Sequence, residues 1–174
     1  QEPEQTEARF QEVFRDVPVD SLYKAYPMAA RGTKDYYKAD LLSDVLSSGD
    51  SSRLYRKLVK EEGVFSELDA YITGDFDPGL FVFSGKPAEG FSLEEADKRL
   101  VDEIGLIKNE KVSEFELQKV KNKLEASNTF SETSILNNAI NLAIAESLGN
   151  ADMVNLEKEI YAKIDAQDIQ KIAQ

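Results

Sequence analysis

The chain has 174 residues, 41% hydrophobic and 31% charged, enough apolar material for one domain with a real core. Its 33 acidic and 21 basic residues give a formal charge of −12, which argues against a nucleic-acid or anionic-membrane surface, and no apolar run approaches the length of a membrane span. Cysteine and histidine are both absent, so disulfides, thiol nucleophiles, thiolate metal sites and imidazole-held zinc are excluded within these residues, and a self-contained hydrolase is hard to build from what remains.

Residues 1–7 are polar and read as a linker, with a single domain over 8–174. Ala8, Phe10, Val13, Phe14 and Val17 predict a first strand of imperfect alternation, closed by Pro18. Leu22, Tyr23, Ala25, Tyr26 and Met28 predict a second, interrupted at Pro27 and bounded by Gly32. Asp35 is the expected cap of a helix lined by Leu41, Leu42, Val45 and Leu46 and stopped at Gly49.

The stretch from Ser47 to Ser84 is the hub of the chain. Asp50, Ser51 and Ser52 offer side-chain oxygens to the orphan N–H groups of the next helix. Leu54 and Leu58, four apart, give that helix an apolar stripe, while Arg53, Arg56, Lys57 and Lys60 are expected to face water and Gly63 to end it. Leu68, Ala70 and Ile72 alternate with Glu67, Asp69 and Tyr71, the period of a half-buried strand. Asp77-Pro78-Gly79 is a turn, since the later ligands of a calcium loop are missing after Asp75, and Leu80 to Phe83 is apolar enough for the middle of a sheet. Gly85, Pro87 and Gly90 mark a loop.

Five helices follow. Ser92 to Glu95 and Ser113 to Glu116 are capping boxes, opening helices lined by Ala96, Leu100, Ile104 and Ile107, and by Leu117, Val120 and Leu124. The polar face of the second, Gln118, Lys119, Lys121, Asn122, Lys123 and Glu125, reads as solvated. After a polar break at Asn128 to Ser134, the small and apolar run Ile135, Leu136, Ala139, Ile140, Ala143 and Ile144 predicts a helix that packs closely against neighbours up to Gly149. Met153, Leu156, Ile160 and Ile164 line another, and Asp165 with Asp168 caps a last one, giving a fifth helix in this half. The fold class is α+β, a two-layer sandwich of a mostly antiparallel sheet with helices packed on one face.

The run Ser51-Ser52-Arg53-Leu54, then Leu58, Gly63, a strand and a hairpin, resembles the insulinase/pitrilysin family of zinc metallopeptidases, specifically the second, non-zinc, C-terminal domain of a family half. The resemblance implies a closing strand after the last helix, so the chain is expected to be a segment of a longer protein, truncated before that strand. It places zinc in an N-terminal domain of the parent, on an inverted His-x-x-Glu-His helix, and no cofactor in this segment. It implies an Arg and a Tyr seven residues later that contact substrate. Alignment through Leu58 and Gly63 sets Val59 and Ser66 at those positions, so the pair is lost, and no Arg here has a Tyr seven residues on.

The expected function is therefore a non-catalytic domain of a zinc metalloendopeptidase, one wall of the substrate chamber and part of a partner interface. The expected partners are a peptide or unfolded protein, the N-terminal zinc domain and a homologous subunit supplying the Arg/Tyr pair. The alternative is the domain of an inactive paralogue serving as a binding or scaffold subunit. The absence of cysteine and the family's frequent occurrence outside the bacterial cytoplasm favour a periplasmic or cell-envelope location.

Overall fold

In the computed structural model, which describes residues 5–174, three antiparallel strands form one open sheet: β1 (Leu22–Pro27), β2 (Phe65–Ile72) and β3 (Leu80–Pro87), in the order β1-β3-β2. The central position of β3 follows from its composition, because Phe81 and Phe83 are buried on one face and Val82 on the other, and only a strand flanked on both sides covers both. Gly85 and Pro87 belong to this strand rather than to the expected loop. Gly85 pairs with Leu68, and a Cβ there would stand 2.7 Å from the Phe65 ring, so the missing side chain is the space that ring occupies.

The expected first strand from Ala8 to Val17 is not formed: among the described residues, 5–20 pair with no strand. Phe10 is 90% and Phe14 79% exposed, and without a buried face the apolar residues of this segment have nothing to fix a register. The beginning of the linker, residues 1–4, lies outside the described residues.

Helix α1 (Lys34–Ser47) lies against β2 and buries Tyr37, Leu41, Leu42, Val45 and Leu46. Its cap is Thr33, whose hydroxyl accepts from the Tyr36 N–H; Asp35 sits in the first turn, where its charge suits the helix dipole. Helix α2 (Leu93–Asn109) opens with the Ser92/Glu95 capping box and buries the expected Ala96, Leu100, Ile104 and Ile107. Helix α3 (Glu114–Ser131) opens with the Ser113/Glu116 box, and it continues through Ser131, so the break shrinks to Glu132–Ser134. Helices α4 (Ile135–Ser147) and α5 (Met153–Lys163) follow, then α6 (Ala166–Ala173), capped reciprocally by Asp165 and Asp168 and seated on α1 and α2 through Ala166 and Ile169.

The expected close packing of α4 is corrected by the structure. Ala145 is its one buried residue, and Ile135, Leu136, Ile140 and Leu142 all face out. Tyr23 and Tyr71 are likewise exposed on the sheet face opposite the helices. No described helix is long and apolar enough to cross a membrane.

Candidate functional site

The hub turn leads into a π-helix at Tyr55–Glu61, whose wide turns show in the Glu62 N–H donating to the Lys57 carbonyl. Leu54 and Leu58 are both buried against the core, as their spacing requires. Gly63 ends the segment at φ +64°, a conformation that other residues adopt only at a cost, and the Val64 N–H closes back onto the Leu58 carbonyl.

The expected serine caps are not made. Leu54 precedes the π-helix with no side-chain cap bond, and Ser52 is buried with its Oγ unbonded to any other group of the described residues. Ser52 acts through its backbone instead, its carbonyl accepting from the Arg56 N–H. The turn is fastened from outside by α3. Lys119 Nζ donates to the Ser51 carbonyl and hydroxyl at 3.2 and 2.9 Å, and Lys123 Nζ donates to Ser48 Oγ at 2.7 Å.

Arg53 is corrected in the same way. It is not one of a row of water-facing cations; its Nε and Nη2 donate to both carboxylate oxygens of Glu116 at 2.9 and 3.0 Å, a bidentate ion pair between hub and α3. The guanidinium, with the Ser113 N–H and hydroxyl that also donate to Glu116, holds that carboxyl down at about 2 against the opposing effect of burial. At the surface Arg56 pairs with Glu61 and Lys57 with Glu61 and Glu62, and Lys60 is exposed.

Val59, the residue set at the expected arginine position, is half-buried and packs against the core. Ser66 lies at the bulge between Phe65 and Glu67, where its hydroxyl donates to the Lys86 carbonyl at 3.2 Å. Neither group can supply a charge or a free donor to a developing oxyanion.

A second polar cluster, missed by sequence reading, ties α5 to α1. Tyr161 donates to Asp40 at 2.5 Å and Tyr37 to Glu157 at 3.1 Å, with the Tyr37 and Tyr161 rings stacked edge-on at 5.2 Å. Burial, reinforced by the neighbouring carboxylates, pushes both phenols well above their ordinary range, and burial also raises Asp40. These groups stabilise a helix contact: the partners lie some 120 residues apart in sequence, which is why no local signal marked them. Lys121, expected in solvent, donates to the Ala162 and Ile164 carbonyls at the end of α5, at 2.9 and 2.5 Å.

Among the described residues no group of three or more histidine, cysteine, aspartate or glutamate side chains is placed to hold a metal. Zinc held by imidazole or thiolate does not fit this segment, because the sequence has neither donor.

A profile of the peptidase M16 inactive domain matches residues 1–124. Solved structures with the same architecture include a protease from Helicobacter pylori, 22% identical with a TM-score of 0.86 over 92% of this chain and 39% of that one. The inactive peptidase domain of a candidate zinc protease from Bordetella parapertussis is also 22% identical, with a TM-score of 0.80 over 92% of this chain and 86% of that one. A candidate zinc protease structure from Bordetella pertussis Tohama I is 21% identical, with a TM-score of 0.76 over 88% and 91%. At these identities the likeness is one of fold, and the chain spans well under half of the Helicobacter polypeptide. No curated protein sequence matches the chain. With the profile covering most of its length, the chain belongs to the peptidase M16, or insulinase/pitrilysin, family, as a copy of that family's inactive domain.

Proposed function

We propose that this domain is the non-catalytic C-terminal half of a zinc-dependent metalloendopeptidase subunit, where it forms one wall of a chamber for peptides or unfolded proteins. The observation that carries the reading is the pairing of a family match with a hub that offers no cation at the expected positions: Val59 is half-buried against the core and Ser66 is bonded to its own sheet. A wall without the Arg/Tyr pair suits a subunit that brings the metal and borrows those contacts from a homologous partner. All chemistry then lies outside these residues, and their task is shape: the Arg53–Glu116 pair and the Lys119 and Lys123 bonds keep the hub turn fixed against α3.

The test uses the full-length protein with its partner subunit. Cleavage of an unstructured peptide that disappears with a chelator and returns with Zn²⁺ is expected; a parent that binds no zinc and cleaves nothing refutes the reading and leaves the inactive paralogue, a binding or scaffold subunit. The 174-residue chain alone is expected to show no peptidase activity with any metal. We place the parent in the periplasm or cell envelope, in keeping with a chain that has no thiol to oxidise, and cell fractionation with an antibody to this domain checks it.

A further inference from the structure

Helix α5 has no fully buried side chain; Met153, Ile160 and Tyr161 pack partly buried against the core, and its bonds to α1 run in both directions. Tyr161 of α5 donates to Asp40 of α1 at 2.5 Å, and Tyr37 of α1 donates to Glu157 of α5 at 3.1 Å, so each helix gives the contact one phenol and one carboxyl. On the other side of α5 a groove of about 210 Å³ separates it from α3, with Leu124 and Asn128 on one wall and Lys158 and Ala162 on the other. Lys121 bridges the two helices at the C-terminal end of α5, where its ammonium holds the Ala162 and Ile164 carbonyls. Helix α4 in turn packs chiefly on α5. The α4–α5 hairpin is therefore pinned near Ile164 and clasped to α1 by the two phenol–carboxyl bonds, with open space behind it.

The clasp has phenols where an ion pair would have a cation. Asp40 lies among like charges, Asp44 on its own helix and Glu157 across the contact, and the cation bearing on it is Arg31, from the loop before α1. The other charges nearby are engaged elsewhere: Lys123 of α3 is bonded to Ser48 beside Asp44, and Asp168 of α6 is paired with Lys38. Asp75, from the loop between β2 and β3, bears on Tyr36, and β2 meets α1 through apolar residues, Leu68 and Ala70 among them. We infer that this clasp is a proton-operated latch: on acidification Asp40 takes up a proton and the α4–α5 hairpin seats firmly on α1, and as the pH rises the ionised carboxyl weakens the contact and lets the hairpin lift about its Lys121-pinned end. Burial, with Asp44 and Glu157 adding like charge, raises the Asp40 carboxyl above its ordinary 3.8 against the lowering effect of the Tyr161 bond and Arg31. A carboxyl raised by folding leaves the contact at full strength below about pH 3.8 and costs it stability as the pH climbs through the raised value. The phenols, pushed well above their ordinary range by burial, remain neutral donors throughout, so the titration is the carboxyl's own.

Amide hydrogen exchange, corrected for the intrinsic pH dependence of the reaction, measures the opening of α5 with α2 as the internal reference. Between about pH 4 and about pH 7 the protection of α5 relative to α2 is expected to fall at least about threefold, and in Asp40→Asn, uncharged throughout, to stay constant. A ratio that is flat or rises with pH in the unsubstituted chain overturns the inference, and so does an Asp40→Asn variant that keeps the full fall. Carbon-13 titration of the Asp40 carboxyl in the unsubstituted chain needs no folded variant. A midpoint above that of aspartate in an unstructured peptide supports the latch; one at or below it overturns the latch.

Discussion

Replacing Glu116 by Gln isolates the charge that binds hub to α3. Glutamine retains the reach to the Ser113 N–H that a capping box needs, so the helix start survives while the anion is lost. The folded carboxyl lies at about 2 against an ordinary 4.5, which corresponds to about 3 kcal/mol at about 1.4 kcal/mol per unit. Part of that belongs to the Ser113 bonds, and both side chains of the pair are about a quarter exposed, 21% for Arg53 and 26% for Glu116, so water screens some of the rest. The expected loss at pH 7 is therefore about 2 kcal/mol, or about 4–8 °C in melting temperature for a chain of this size. Because the folded pKa is depressed, this stability is present above about pH 4.5 and drains away as the pH falls towards about 2. Urea unfolding of both proteins between about pH 7 and about pH 2.5 should show the gap closing to well under about 1 kcal/mol. A gap that is the same at both ends of the range would mean that the substitution acts through packing or capping, and the ion-pair argument would be wrong.

Leu58→Ala, at a side chain only 1% exposed, should cost about 2–5 kcal/mol in chemical denaturation; a near-neutral melt would show that the π-helix is not packed as described. Gly85→Ala drives a methyl into the Phe65 ring and should cost about 1–3 kcal/mol, whereas pairing it with Phe65→Leu should recover part of the loss, and strict additivity of the two would contradict the contact. Tyr161→Phe leaves the half-buried Asp40 without its donor and should destabilise by about 1–3 kcal/mol, with hydrogen exchange accelerated in α5 before α2; uniform acceleration would place the effect elsewhere.

What could be read from the sequence was whatever is settled within a few residues. Ser92 with Glu95, Ser113 with Glu116, and Asp165 with Asp168 satisfy each other across one helical turn, so their pattern is also their structure. The continuous apolar run Phe81–Phe83 announced a central strand for the same reason. Serines 51 and 52 looked like caps and were not, because the cap slot is decided by where the helix begins and by a lysine arriving from α3, 68 residues on. The lysines of α3 read as solvated for want of any sequence sign that carbonyls of α5 and hydroxyls of the hub turn lie within reach. For α4, periodicity reveals that an apolar stripe exists but not which way it faces, and the same ambiguity covers Phe10 to Val17, whose side chains find no second layer here. The candidate site was legible as a deficit: missing imidazole and missing thiol are facts of composition, whereas the half-buried packing of Val59 depends on how the chain folds.

A π turn accommodates more residues than an α turn, and position 59 lies within one. Which way its side chain points is thus tied to segment length as well as to identity. A Val59→Arg exchange would bring a guanidinium against the aliphatic neighbours on which Val59 packs.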